Sequence, residues 1–136
     1  MKKITFLLPA FILSLLFGNA SCQQANKNAD AVVTSVDTKA FKTLVESNTG
    51  VLLDVRTPQE YEEGHIAGSI NIDFHGVNFK EELEKLDKTK TYEVYCRSGK
   101  RSANAAEIME EMGFVKVINL SGGIIGWQQQ GFAVEQ

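Results

Sequence analysis

The sequence predicts an α/β domain built on a mainly parallel sheet with helices on both faces. Three observations carry that prediction. Apolar runs of about five residues, rich in β-branched and aromatic side chains, stand at 50–55, 92–96 and 115–120. Stretches of helical pattern separate them, and strands that alternate with helices imply βαβ units. About 100 residues remain once an N-terminal leader is set aside, which is the length of one domain.

Taken in order, the chain opens with "MKK", a positive start, followed by the apolar run "ITFLLPAFILSLLFG" and the small residues of "NASC". This is the pattern of a signal peptide over residues 1–21, too short and too poorly flanked for a membrane span. Two readings of its end stay open. "NASC" partly resembles the lipobox of bacterial lipoproteins, in which cleavage precedes a lipidated cysteine, here Cys22; Asn19 departs from the Leu usual there. The alternative is ordinary cleavage after Ala20. Residues 22–32, "CQQANKNADAV", are polar and lack apolar periodicity, so they read as a flexible tether ahead of a domain at 33–136. Export to the periplasm or cell envelope is expected, with a lipidated Cys22 as the membrane anchor if the first reading holds.

The leader takes Lys2 and Lys3 with it, so the 14 basic residues fall to 12 against 17 acidic ones, a net of −5. That balance argues against nucleic acid as a partner. Two histidines, His65 and His75, distant from any paired cysteine, do not make a metal site of usual spacing, and no cofactor is expected. Nothing in the pattern calls for an oligomer, so a monomer is expected.

Within the domain, Asp37 is placed to cap a helix over "DTKAFKTLVES". "GVLLDV", Gly50–Val55, follows as a buried strand, then a helix over "FKEELEKLD" and a second strand, "YEVYC". A helix over "SANAAEIMEEMG", ended by Gly113, leads to the strand "VKVINL", Val115–Leu120. Trp127, Phe114 and Phe132 read as core aromatics.

Cys96 is the only cysteine of the domain, and it sits where a strand ends and a helix follows. In parallel sheets, ligands bind in such loops, at the carboxyl ends of the strands. Arg97, Lys100 and Arg101 stand beside it in an otherwise acidic chain. A thiol of ordinary pKa ~8.5 is mostly protonated at neutral pH, and the thiolate is the nucleophile. Helix N-terminal N–H groups stabilise anions. Gly99 permits a tight turn with inward amides, and the cations add full charges. The loop is therefore expected to hold a thiolate and to receive an anionic substrate.

The residues of this loop, "CRSGKR", resemble the active loop of the single-domain rhodaneses, the sulfurtransferase family. "LLDVRTPQEYEEGHIAGSINI" resembles that family's L-x-D-V-R, E-Y and G-H-I-x-G-A-x-N-I pattern, with Ser69 in place of Ala, and "VINLSGGIIGW" resembles its closing L-x-G-G-x-x-x-W. The resemblance covers essentially the whole domain. It implies a rhodanese-like fold and a double displacement. Cys96 takes the outer sulfur of a small anionic donor such as thiosulfate as a persulfide, and cyanide or a thiol, free or carried on a protein, then accepts it. By position, Arg97, Ser98, Gly99, Lys100, Arg101 and Ser102 form the cradle, and Arg97 and Lys100 attract the donor. Cationic loops in the family go with thiosulfate, neutral ones with mercaptopyruvate. Asp54, Arg56 and Glu60 read as a network tying neighbouring loops together, His65 as scaffold, and His75 as part of a loop near the entrance. Arg101 is open between a substrate ligand and a partner for an acid.

Two rivals stand beside this reading. Related cysteine phosphatases and arsenate reductases use a C-x5-R loop, one residue longer than the span from Cys96 to Arg101. A non-turnover sulfur carrier or regulatory binding module would keep the fold without catalysis.

Overall fold

The computed structural model describes residues 32–136. The expected signal peptide, Cys22 and the tether up to residue 31 lie outside the described residues. The elements run β1 (Val32–Val36), α1 (Thr38–Ser47), β2 (Val51–Asp54), α2 (Pro58–Glu63), β3 (Ile70–Asn71), α3 (Phe79–Glu84), β4 (Thr91–Tyr95), α4 (Lys100–Glu111), β5 (Lys116–Leu120) and α5 (Gly123–Gln129).

All five strands are parallel, in the order β1-β5-β4-β2-β3. Side chains of one strand alternate between faces, and both faces are covered. Leu53, Val55, Val94, Cys96 and Val117 pack with Phe79 and Leu83 of α3 and Ala105, Ala106 and Met109 of α4. Leu52, Tyr95, Ile118 and Leu120 pack on the other face with Phe41 of α1 and Ile124 and Trp127 of α5. The central strands β2, β4 and β5 therefore read as largely apolar runs, as strands buried on both faces do.

Asp37 caps α1, its carboxylate accepting from the Ala40 N–H at 2.9 Å. Phe114 and Trp127 are buried, and Phe132 packs edge-on against Trp127 from the rim. Several boundaries differ from the sequence reading. Val32 pairs with Lys116 in β1, so the fold takes up one residue assigned to the tether. The third helix stops at Glu84, and α4 starts at Lys100 rather than near Ser102. β1, α2, β3 and α5 are additional to the elements the sequence predicts.

The strand order fixes where a site can form. From β2 the chain moves outward to β3, then returns to the opposite side of β2 for β4 and continues to β5. The connections leaving β2 and β4 thus diverge between two neighbouring strands, and such a switch point opens a crevice at the carboxyl ends. Asp54 and Tyr95 are paired in register there, with Cys96 the next residue of the chain.

Candidate active site

The loop after β4 turns back over Cys96. The thiol is fully buried, and its Sγ accepts from the Gly99 N–H at 3.1 Å and from the Ser102 hydroxyl at 3.3 Å. Burial is the largest single influence on this thiol and pushes its pKa up. The Ser102 hydroxyl and the backbone N–H groups of Ser102, Gly99 and Ser98 together outweigh it, leaving Cys96 below the ordinary cysteine value. These donors, rather than the cationic side chains, are the leading cause.

Two glycines make the turn. Gly99 has φ +95, and a Cβ there would collide with the Ser121 carbonyl; Gly123 has φ +59, and a Cβ there would collide with the Arg97 carbonyl. That close approach lets the N–H groups of Ile124 and Ile125 bind the carbonyls of Cys96 and Arg97 at 2.9 and 3.2 Å. With those carbonyls held against α5, the N–H groups that follow are free to face Sγ. Asn119, on β5 beneath the loop, donates to Ser35 Oγ at 3.1 Å and reaches the Gly99 carbonyl at 3.5 Å.

The three cations fall into two groups. Arg97 and Lys100 are exposed and form no ion pair among the described residues. Arg101 donates from Nη1 and Nη2 to the two Glu60 oxygens at 2.8 Å each. Glu60 also closes a capping box at the start of α2, taking the Thr57 N–H at 3.1 Å while Thr57 Oγ1 accepts from the Glu60 N–H at 3.2 Å. Arg101 above all, with Thr57, holds the Glu60 carboxyl at about 2 against the opposing effect of burial.

A second pair lies behind the first. Asp54, fully buried, accepts from Arg56 Nε and Nη2 at 3.0 and 2.6 Å, and Nη2 also donates to the Gly64 carbonyl at 2.7 Å. Asn71 donates to the carbonyls of Asp54 and Arg56 at 3.0 and 2.8 Å, and the Arg56 guanidinium lies 5.7 Å from the centre of the Tyr95 ring. Ser69 shares a 3.0 Å hydrogen bond with the Tyr95 hydroxyl, which also accepts from the Ile66 N–H. Asp54, Arg56, Glu60 and Arg101 thus connect the exit of β2, α2 and the cysteine loop.

His65 stacks on Tyr61 with ring centres 3.8 Å apart and holds the C-terminal segment through backbone bonds to Glu135. His75 is exposed on the loop before α3 and packs edge-on to Phe74. The roles of Gly123, Asn71 and Asn119 were missed by sequence reasoning. Gly123 and Asn71 occupy defined positions of the family patterns quoted above, so a signal for them existed; Asn119 stands just ahead of the closing pattern that begins at Leu120 and carried none beyond its place in a mostly apolar strand.

Beside the loop a cavity of about 290 Å³ opens between α2 and α5, with Arg97 at its edge. A buried thiolate held by hydrogen bonds from N–H and O–H donors is suited to nucleophilic attack on a small electrophile and to holding the anion that results.

Residues 37–130 match the rhodanese-like domain family. A sulfurtransferase of Allochromatium vinosum is 30% identical over 104 residues, 76% of this chain and 95% of that protein. The thiosulfate sulfurtransferase PspE of Escherichia coli is 40% identical over 70 residues, 52% of this chain and 67% of its own length. The crystal structure of a rhodanese-related protein from Thermoplasma volcanium superposes with a TM-score of 0.67 at 33% identity, covering 75% of this chain and 97% of the other. With a family match that takes in β2 to β5, the cysteine loop and α5, the chain belongs to the rhodanese-like family and carries its single-domain fold.

Proposed function

We propose that this protein moves a sulfane sulfur from a small anionic donor, with thiosulfate as the leading candidate, to a thiol or cyanide through a persulfide on Cys96. The observation that carries this reading is the environment of Sγ: N–H and O–H donors converge on it and lower its pKa in spite of burial. The thiolate attacks the outer sulfur of thiosulfate, the sulfur–sulfur bond of the donor breaks, and sulfite leaves with the bonding pair. The acceptor thiolate or cyanide then attacks the outer sulfur of the persulfide, and Cys96 departs as the thiolate that began the cycle. The same N–H groups suit each anion in turn. Arg97 and Lys100, exposed and unpaired, supply the attraction for the donor.

The commitment of Arg101 to Glu60 disfavours the phosphatase alternative, since that chemistry needs the loop arginine on the substrate's oxyanion. A silent binding module is disfavoured by the intact nucleophile. In the cell, we propose that the domain is exported and held at the envelope through Cys22; Cys22→Ser moving the protein from the membrane to the soluble fraction would support that anchor, and unchanged partition would remove it.

The test of sulfur transfer is the intact mass of the mature protein before and after thiosulfate and again after cyanide, with Cys96→Ser in parallel. A gain of one sulfur on the wild type alone, lost to cyanide, is expected. No gain from thiosulfate or from mercaptopyruvate would overturn the reading.

A further inference from the structure

We infer that a second cavity, between the end of α1 and the start of β2, binds a primary alkylammonium group, with the buried carboxylate of Glu93 as its anionic partner. The inference is independent of the sulfur-transfer reading, because this cavity shares no residue with the cysteine loop.

Glu93 stands in the middle of β4, in register with Leu52 of β2 and Ile118 of β5. Its side chain therefore points to the face on which Leu52 and Ile118 pack, the one covered by α1 and α5. The residue is 2% exposed, its Oε1 has no hydrogen-bond partner, and it belongs to no ion pair among the described residues. A buried carboxylate in that state is costly, and buried polar groups are normally satisfied. The chain nevertheless keeps room for it. A Cβ on Gly50 would stand 2.6 Å from Oε1, and Gly50 has no positive φ, so what its missing side chain supplies is space.

Glu93 and Gly50 both line a cavity of about 230 Å³. Glu93 is the only charged residue among the described residues of the lining, so nothing in the wall neutralises it. The end of α1 adds to the negative potential: Val45 and the C-cap Asn48 stand in the wall, and the carbonyl end of a helix carries partial negative charge. Lys42, on the same helix, is committed to Glu46.

An ammonium group supplies both things the cavity lacks, a positive charge and N–H donors for the carboxylate. Val45, Val51, Leu52 and Ala67 offer apolar contact to the alkyl chain. Val45 and Ala67 are shared with a neighbouring cavity against Trp127 and Phe132, which gives a longer chain somewhere to run. An anion is repelled by Glu93 and the helix end. A divalent cation such as calcium takes six or more oxygen ligands, and no cluster of three acidic, histidine or cysteine residues able to hold a metal occurs among the described residues.

The test is an NMR titration of the mature protein with n-butylammonium at constant ionic strength. The controls are n-butanol, which lacks the charge, and tetramethylammonium, which lacks the N–H donors. Butylammonium is expected to shift the amides of Gly50, Gly68 and Glu93 saturably and to bind about tenfold tighter than either control, the least that a hydrogen bond to a charged group provides. Glu93→Gln keeps the shape and removes the charge, and it is expected to fold at least as well as the wild type while losing that preference. Capped lysine, N-acetyl-L-lysine N-methylamide, separates two sources of the group: binding as tight as that of butylammonium assigns the site to a lysine side chain of another protein, and binding several-fold weaker assigns it to a free amine. Equal binding of butylammonium and butanol, or a preference that survives Glu93→Gln, would overturn the site. Sulfur loading of Cys96 is expected to be the same in Glu93→Gln as in the wild type, so failure of the amine site and failure of sulfur transfer are read apart.

Discussion

Ser102→Ala tests where the stabilisation of the Cys96 thiolate comes from. The substitution removes one hydrogen bond, 3.3 Å from the Ser102 hydroxyl to Sγ, and leaves the Gly99 N–H in place. A hydrogen bond to a charged group contributes about 1.5–3 kcal/mol, and the long reach to sulfur places this one near the lower bound. Since one pKa unit corresponds to about 1.4 kcal/mol, the thiol should rise by about one unit. The thiolate fraction at pH values below both pKa values should fall about tenfold. The assay is the pH dependence of alkylation by iodoacetamide, together with thiolate absorbance, on the mature protein. Arg97→Gln and Lys100→Gln serve as the comparison, because exposed charges act through screened solvent and contribute only ~0.2–1 kcal/mol. A larger rise in either of these than in Ser102→Ala would refute the assignment and return the role to the cations. Stability supplies a second readout. The folded thiol titrates below its unfolded value of about 8.5, so its contribution is fully present above that pH and is lost as pH falls through the folded value. The urea midpoints of wild type and Ser102→Ala should therefore diverge most in alkali.

Three further outcomes follow from the same geometry. Gly123→Ala forces a side chain against the Arg97 carbonyl at φ +59, a cost of about 1–3 kcal/mol in strain alone, and should depress sulfur loading more than it depresses the thermal midpoint of the rest of the fold. Arg101→Lys replaces a two-point fork by a point charge and should cost about 1–2 kcal/mol in urea unfolding. Because Glu60 is held at about 2, that deficit should be complete above pH ~4.3 and vanish as pH falls through about 2. Glu93→Gln removes a buried carboxylate whose Oε1 has no partner and whose pKa is raised by burial. Below pH ~4.3 both states are protonated and nothing changes, whereas above the folded value the variant should be more stable by about 1 kcal/mol. A flat difference across pH in urea titrations would count against that account.

The parts of this fold that were legible in the sequence are those that bury a continuous apolar run. β2, β4 and β5 are covered on both faces, so their sequences are mostly apolar, and α1 announces itself by Asp37. The elements that escaped lack that signal. α2 buries no side chain and offers no periodicity, although Thr57, Pro58 and Glu60 do spell a capping box. β3 has two residues, one of them, Ile70, 41% exposed at the sheet edge. α5 begins in two glycines, which on their own read as a loop; their use, letting the cysteine loop rest on the backbone of α5, requires the fold to be seen. The cysteine loop was readable because it is contiguous. The Glu60–Arg101 pair spans 41 residues, and the cavity with Arg97 at its edge joins two helices and a loop that no local pattern brings together. Glu93 was hidden for the opposite reason: it stands in an apolar run, and nothing local distinguishes a buried carboxylate from a solvated one.

The burial of Cys96 bears on how the proposed reaction proceeds. A nucleophile with no exposed surface is poorly placed to meet a bulky partner, and burial by itself opposes ionisation. Both costs fit a two-step transfer better than a direct one. In the first step only a small donor has to reach Sγ. Once the persulfide has formed, the reactive atom lies a sulfur–sulfur bond of about 2 Å farther out, so the acceptor never has to approach Sγ itself. The donors around Sγ then offset desolvation when the persulfide collapses and the thiolate returns as leaving group. An enclosed thiolate is also shielded from larger oxidants, which attack cysteines in proportion to thiolate character and exposure together. On this argument, opening the loop should speed alkylation and oxidation of Cys96 while slowing sulfur transfer, so Gly123→Ala should separate thiol reactivity from sulfurtransferase activity rather than lower both.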